Sequence, residues 1–138
     1  MKFHTRSEEE TIALGRTLAP QLNGVVLLSG NLGAGKTTLA KGILSGLGAA
    51  TPEEVSSPTF TLVHEYGEPP KIYHIDLYRL ETEAEVATLG LGDIFDSGTL
   101  VLIEWGERFP RLMPRPRIEV KMLADSDERE ITVTYVPE

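Results

Sequence analysis

Runs of apolar residues, helical spacing and strict alternation divide this chain into distinct segments. Val25-Val26-Leu27-Leu28 is an unbroken apolar run, as is Leu100 to Ile103, and both predict strands covered on two faces. Ile12, Leu14 and Leu18 are spaced as the inner face of a helix over Glu8–Leu18. Leu39, Ile43 and Leu44 define a second helix, ending near Leu47. Thr59–Tyr66 and Lys71–Asp76 have strand composition, and the connector Gly67 to Pro70 is too short for a parallel crossover, so the two form an antiparallel hairpin. Ile118, Val120 and Met122 alternate within Arg117–Leu123, as do Ile131, Val133 and Tyr135, which predicts a closing hairpin across an Asp/Ser turn.

Punctuation supports these boundaries. Ser7 and Glu10 form the S-x-x-E pattern of a capping box, and Glu8, Glu9 and Glu10 suit a helix N-terminus while reading as a solvated face. Pro20 and Gly24 close that helix. Gly46 and Gly48 end the next one, and Ala49 to Ser57 reads as loop with Pro52 and Pro58 as breakers. Thr82 caps a short helix through Leu89; Gly90, Gly92 and Gly98 mark irregular structure; Gly106 to Pro116 reads as loop with one helical turn. The class is α/β: a mixed sheet with flanking helices and antiparallel hairpins at its edges.

Composition narrows the function. The 138 residues suit one domain, 1–138, with 41% hydrophobic content sufficient for a core. A net charge of -8 excludes gripping nucleic acid by bulk electrostatics, which leaves contact with RNA as part of a complex. With no cysteine, disulfides, thiolate metal sites and cysteine nucleophiles are excluded, and a cytoplasmic location is expected. The first ten residues have no apolar signal core, and no apolar run is long enough to span a membrane.

The chemistry centres on Gly30 to Thr37, which fills G-x-x-x-x-G-K-[ST] between the first apolar strand and the second helix. Glycines there allow consecutive main-chain N–H groups to point at phosphate oxygens, and the helix N-terminus adds partial positive charge. Lys36 would reach the β- and γ-phosphates and the Thr37 hydroxyl would ligate Mg²⁺. A dinucleotide fingerprint is excluded, because its third glycine would fall on Thr38. A nucleotide hydrolase also needs an acid for the metal and a group for the attacking water. Asp76 and Glu104 each end a strand and are the candidates, with their roles left open. His64 and His74 read as strand-surface or core histidines, Arg79 as a salt-bridge partner near the site, and Trp105 as a packing residue placed beside the site by Glu104. Arg108, Arg111, Arg115, Arg117 and Lys121 make a locally basic segment, more often a solvated edge than a binding face.

Four elements in order, Asn31-Leu32-Gly33-Ala34-Gly35-Lys36-Thr37-Thr38, Ser57-Pro58-Thr59-Phe60-Thr61-Leu62-Val63, Tyr73-His74-Ile75-Asp76-Leu77-Tyr78-Arg79-Leu80 and Ile103-Glu104-Trp105, resemble those of the TsaE (YjeE) family across nearly the whole chain. The resemblance implies a P-loop ATPase of low intrinsic activity that supports threonylcarbamoylation of the tRNA adenosine beside the anticodon. Its partners would be TsaD and TsaB, whose complex raises the activity, with tRNA contact left open. By matched position Gly33, Ala34, Gly35, Lys36, Thr37 and Thr38 would bind ATP, with Thr37 and Glu104 on Mg²⁺. Asp76 would act near the metal or the water, with Lys36, Asp76 and Glu104 the catalytic set. Ser57 to Thr61, including Thr59, would form a switch-like loop near the γ-phosphate, and Trp105 would lie beside the nucleotide. Glu8 and Arg129 fall where nucleotide contacts are conceivable, with no motif to fix them. The connector between the Tyr66 and Ile72 strands and the C-terminal end are both short relative to the family, which trims the periphery.

Two other classes have less support in the sequence. A small P-loop metabolite kinase needs an acceptor pocket and an arginine-bearing lid, for which the chain has little room. A GTP-dependent switch would carry Asn-Lys-x-Asp, but neither Asn23 nor Asn31 is followed by lysine. No arginine is placed as a charge-neutralising finger in cis, a group worth about 10³–10⁵ in rate. A partner would supply it, or would order the Ser57–Thr61 loop.

Overall fold

The computed structural model describes residues 1–69 and 71–138. Its strands are β1 (Lys2–Thr5), β2 (Val25–Ser29), β3 (Val63–Tyr66), β4 (Ile72–Asp76), β5 (Val101–Glu104), β6 (Arg117–Asp125) and β7 (Glu128–Val136). Its α-helices are α1 (Glu8–Leu18), α2 (Lys36–Gly46), α3 (Glu83–Ala87) and α4 (Leu91–Phe95). All the strands join one seven-stranded sheet in the order β1-β7-β6-β2-β5-β4-β3. The central four, β6-β2-β5-β4, run parallel, and the flanking pairs are antiparallel.

The two apolar runs sit where both faces are covered. Val26, Leu28 and Leu102 pack with Leu39, Ile43 and Leu44 of α2 and Leu18 of α1. Val25, Leu27, Val101 and Ile103 face the other way, against Val86, Leu91, Phe109 and Met113. This two-sided burial makes the central strands continuously hydrophobic rather than alternating. Helices α1 and α2 cross closely, because a Cβ on Gly15 would stand 2.6 Å from the Leu39 carbonyl oxygen and 2.8 Å from the Ile43 nitrogen. Gly15 and Thr11 are accordingly buried on α1 along with Leu18, while Ile12 and Leu14, expected inward, are only half-buried. The Ser7 cap is formed, its side chain accepting from the Glu10 N–H at 3.0 Å, although Glu10 reaches back to the Arg6 N–H instead of that of Ser7.

The structure departs from the sequence expectations in several further places. Strand β1 was not anticipated: it has one apolar residue, Phe3, and is held by pairing with β7, so the closing hairpin lies inside the sheet and β1 takes that edge. Helix α4 forms where Gly90, Gly92 and Gly98 suggested irregular structure; Gly90, at φ +68°, precedes it, and Leu91 is buried in the core. Helix α3 is shorter than expected, although the Thr82–Glu85 capping box is complete. Strand β3 starts at Val63 rather than Thr59, because Thr59 to Leu62 turns, with the Leu62 N–H donating to the Pro58 carbonyl at 2.6 Å. Its hairpin with β4 is antiparallel as expected, and the expected Gly67–Pro70 turn includes residue 70, which lies outside the described residues. The Gly106–Pro116 segment contains two short 3₁₀ turns.

Candidate nucleotide site

Parallel strands whose C-terminal ends share one edge leave a crevice there, and the phosphate loop follows the central strand β2 into it. Gly30, Gly33 and Gly35 have φ of +147°, +82° and +103°, conformations that L side chains rarely adopt. A Cβ on Gly30 would also stand 2.5 Å from the Met122 carbonyl oxygen, so β6 passes hard against the loop. Ala34 is buried beneath it and Gly35 precedes the first residue of α2, Lys36.

Asp76 and Glu104 are register partners on adjacent parallel strands and so point to one face of the sheet. That face is the one covered by α2, since Leu102, two residues before Glu104, packs there. The result is direct contact: the Thr37 hydroxyl lies 3.0 Å and 3.2 Å from the two Glu104 carboxylate oxygens. Both acids are buried. Asp76 is spent differently. Its Oδ2 accepts from the hydroxyls of Thr59 at 2.8 Å and Ser57 at 3.1 Å, and its Oδ1 from the Tyr78 N–H at 2.8 Å. Thr59 turns in to make this bond, which is the physical reason the expected strand does not reach back to it.

Lys36 is 5% exposed; its Nζ donates to the Gly30 carbonyl and stands 3.5 Å from the centroid of a Trp105 ring. Burial pushes the Lys36 ammonium below the ordinary lysine range, opposed by the charges of Glu107, Glu104 and Asp76. Trp105 itself has φ +67°, strained for an aromatic residue, and its ring packs 4.9 Å from that of Tyr78. The strain turns Trp105 out of the strand direction onto the lysine.

These residues line a cleft of about 290 Å³ bounded by Leu32, Gly33, Gly35, Lys36, Thr37, Ser57, Thr59, Asp76, Tyr78, Glu104 and Trp105. Among the described residues lining it, Lys36 is the sole cation. A second cleft, about 280 Å³, opens beyond Gly35 and is lined by Glu8, Thr11, Thr38, Asp127 and Arg129 among others. Glu8 and Arg129 thus come together beside the loop, and Arg129 Nη2 lies 3.4 Å from the Gly33 carbonyl.

Glu107 escaped sequence reasoning, as did the pairing of His74 with Glu104. Glu107 accepts from the Gly30 N–H at 3.3 Å, and His74 stands against Glu104. Glu107 follows the strand end by three residues, in a stretch that reads only as loop. Arg79 makes no salt bridge among the described residues; it donates to the Phe60 carbonyl at 3.2 Å and covers the Phe60 ring at 5.1 Å. Of the basic segment, Arg117 pairs with Glu119 at 2.8 Å, Arg108 donates to the Tyr78 carbonyl, and Arg111 lies 3.9 Å from Glu83. Those three cations are engaged within the chain.

A glycine loop between a central parallel strand and a helix, facing acids on the adjoining strand ends, defines a P-loop nucleotide-binding fold. A family model described as threonylcarbamoyl adenosine biosynthesis protein TsaE matches residues 5–131. The Bacillus subtilis tRNA threonylcarbamoyladenosine biosynthesis protein TsaE is 40% identical over 140 residues, spanning 99% of this chain and 86% of that protein. The protein of the same name from Haemophilus influenzae is 44% identical over 108 residues, 78% of this chain and 67% of that protein. The crystal structure of Bacillus subtilis YdiB superposes with a TM-score of 0.78 at 34% identity, covering 99% of this chain and 85% of that one. The chain belongs to the TsaE family. No helix among the described residues is long and apolar enough to cross a membrane.

Proposed function

We propose that this chain is a Mg²⁺-dependent ATPase, a single domain that supports threonylcarbamoylation of the tRNA adenosine next to the anticodon, acting in the cytoplasm with TsaB and TsaD. The observation that carries the ATPase reading is the Thr37–Glu104 contact at the foot of the phosphate loop. A hydroxyl and a carboxylate converging on one point are the hard oxygen donors that Mg²⁺ takes. Held by Thr37 and Glu104, the ion would offset negative charge on the β- and γ-phosphates.

The remaining roles follow from what each side chain touches. Main-chain N–H groups of Gly33 to Thr38 receive phosphate oxygens, and Lys36 leaves the Gly30 carbonyl and the Trp105 face to meet them. Trp105 then packs beside the nucleotide. Asp76 holds the Ser57–Thr61 segment through two hydroxyls, so it acts on the γ-phosphate side by placing that segment and the attacking water. Glu8 and Arg129 take the nucleoside end in the second cleft. Among the described residues lining the cleft there is no second cation to meet charge developing in the transition state, which suits slow intrinsic turnover and activation by a partner.

The test measures phosphate release from ATP with Mg²⁺, alone and with TsaB and TsaD. Slow release that rises in the complex is expected. Phosphate transfer to a metabolite without free phosphate would instead favour the kinase reading.

A further inference from the structure

His74 is fully buried on β4 and reads from sequence as a core histidine, yet it does not sit among apolar groups alone. Its Nε2 lies 2.6 Å from Glu104 Oε2. Its Nδ1 has no partner and is the one buried side-chain polar atom so left among the described residues. An unpartnered lone pair costs less to bury than an unpartnered N–H, so the proton belongs on Nε2, where it is donated to the carboxylate. The register explains the reach. His74 pairs with Leu102 and Asp76 with Glu104, so His74 lies on the same sheet face as Glu104 and one pleat behind it.

Glu104 is thereby gripped from two sides. Thr37 approaches from α2 and His74 from within the sheet, and both bonds meet at Oε2. Oε1 is left with the single, longer contact to Thr37 at 3.2 Å. A carboxylate at the end of a glutamate has three torsions to fix, and a cation site needs it fixed before the ion arrives. Packing alone does not account for an imidazole here, because an apolar side chain would fill the space without burying a polar ring.

We propose that His74 is the positioning residue of Glu104: its Nε2–H anchors Oε2 and holds the carboxylate ready for a divalent cation shared with Thr37. This rests on the reading of Glu104 as a metal ligand, and the experiment separates the two. Mn²⁺ replaces Mg²⁺, and its binding to the full chain carrying ADP is titrated by electron paramagnetic resonance. ADP affinity is measured in parallel in chelator. The variants are His74→Leu, His74→Gln, His74→Asn and Glu104→Ala. A glutamine amide can stand in for Nε2–H, whereas an asparagine amide stands where Nδ1 does.

The expected result is Mn²⁺ affinity reduced about 10–100-fold in His74→Leu and His74→Asn, with most of it kept in His74→Gln and metal-free ADP affinity unchanged. If the leucine variant does not fold, the glutamine–asparagine pair makes the same distinction. Glutamine and asparagine variants with equal Mn²⁺ affinity, or a folded leucine variant with parental affinity, would overturn the positioning role. Should Mn²⁺ binding survive Glu104→Ala unchanged, the metal-ligand reading itself falls. Loss in Glu104→Ala beside unaltered His74 variants removes the positioning role alone.

Discussion

The two clefts on either side of the phosphate loop are similar in size and built in opposite ways. The cleft on the Thr37 side is assembled from the ends of β4 and β5 and the first turn of α2, and its acids are buried and already bonded. The cleft on the Thr38 side is assembled from the start of α1 and the β6–β7 turn region, and its charged groups, Glu8, Asp127 and Arg129, stand near the surface. Strand ends in a packed sheet are placed to within the tolerance that charge stabilisation requires, whereas surface side chains adapt. Under the proposed function, that difference puts chemistry in the first cleft and nucleoside recognition in the second.

If that division is right, changes in the first cleft should alter turnover or abolish binding, and changes in the second should alter affinity alone. The largest effect is expected from Glu104→Ala, which should reduce metal-dependent turnover by about 100-fold or more while nucleotide binding in chelator persists. His74→Ala should cost less, because the ligand remains though less well held. Equal, minor losses in both would remove Glu104 from the metal site. Next comes Lys36→Ala. A lost charge-assisted contact of about 1.5–3 kcal/mol corresponds to an ATP affinity lower by about 10–150-fold, measurable by calorimetry. Retained affinity would mean that Lys36 stays on Gly30 and Trp105 when nucleotide binds.

The same division explains what the sequence made legible. The first cleft follows from motif, apolar run and strand composition: Gly30 to Thr37 must sit after a strand, and Asp76 and Glu104 must end theirs. That Glu104 and Asp76 would share one face was hidden, since strand order and register come from long-range packing. His74 is the core histidine its strand suggested, but its partner was hidden for the same reason, being thirty positions away and one strand over. Trp105 was placed beside the site by adjacency, but its left-handed backbone, which puts it on Lys36, carries no sequence signal in a non-glycine residue. The second cleft was nearly illegible. Glu8 lies in a run of three glutamates that reads as a solvated helix start, and Arg129 lies in a generic hairpin. They meet because β1 pairs with β7 and brings the start of α1 to that hairpin, and β1, with one apolar residue, gives no pattern to read.

Arg129→Ala sharpens the comparison from the other side. Arg129 is half-buried, but its bond to the Gly33 carbonyl is open to solvent, which screens it. ATP affinity is expected to fall by about tenfold or less with turnover at saturating ATP unchanged. A fall in the saturated rate instead would place the arginine in the chemistry and erase the distinction between the clefts. Glu8→Ala should behave likewise.

The smallest effect concerns pH. Burial lowers the pKa of Lys36 from its ordinary value of 10.5, despite the opposing charges of Glu107, Glu104 and Asp76. Between the lowered value and 10.5 the unfolded chain holds more protons at this group than the folded one, so its contribution to stability rises with pH across that window. Phosphate binding runs the opposite way, because only the protonated lysine attracts the triphosphate. ATP affinity should therefore decline on the alkaline side at lower pH than an exposed lysine would allow. Lys36→Arg, which keeps its charge, should lack that decline whatever its absolute affinity. Among the described residues lining the second cleft the cations are Arg6 and Arg129, with no lysine to offer a competing titration. A decline identical in the parent and in Lys36→Arg would mean that the alkaline limb belongs to another group, and that burial of this lysine does not govern the phosphate side.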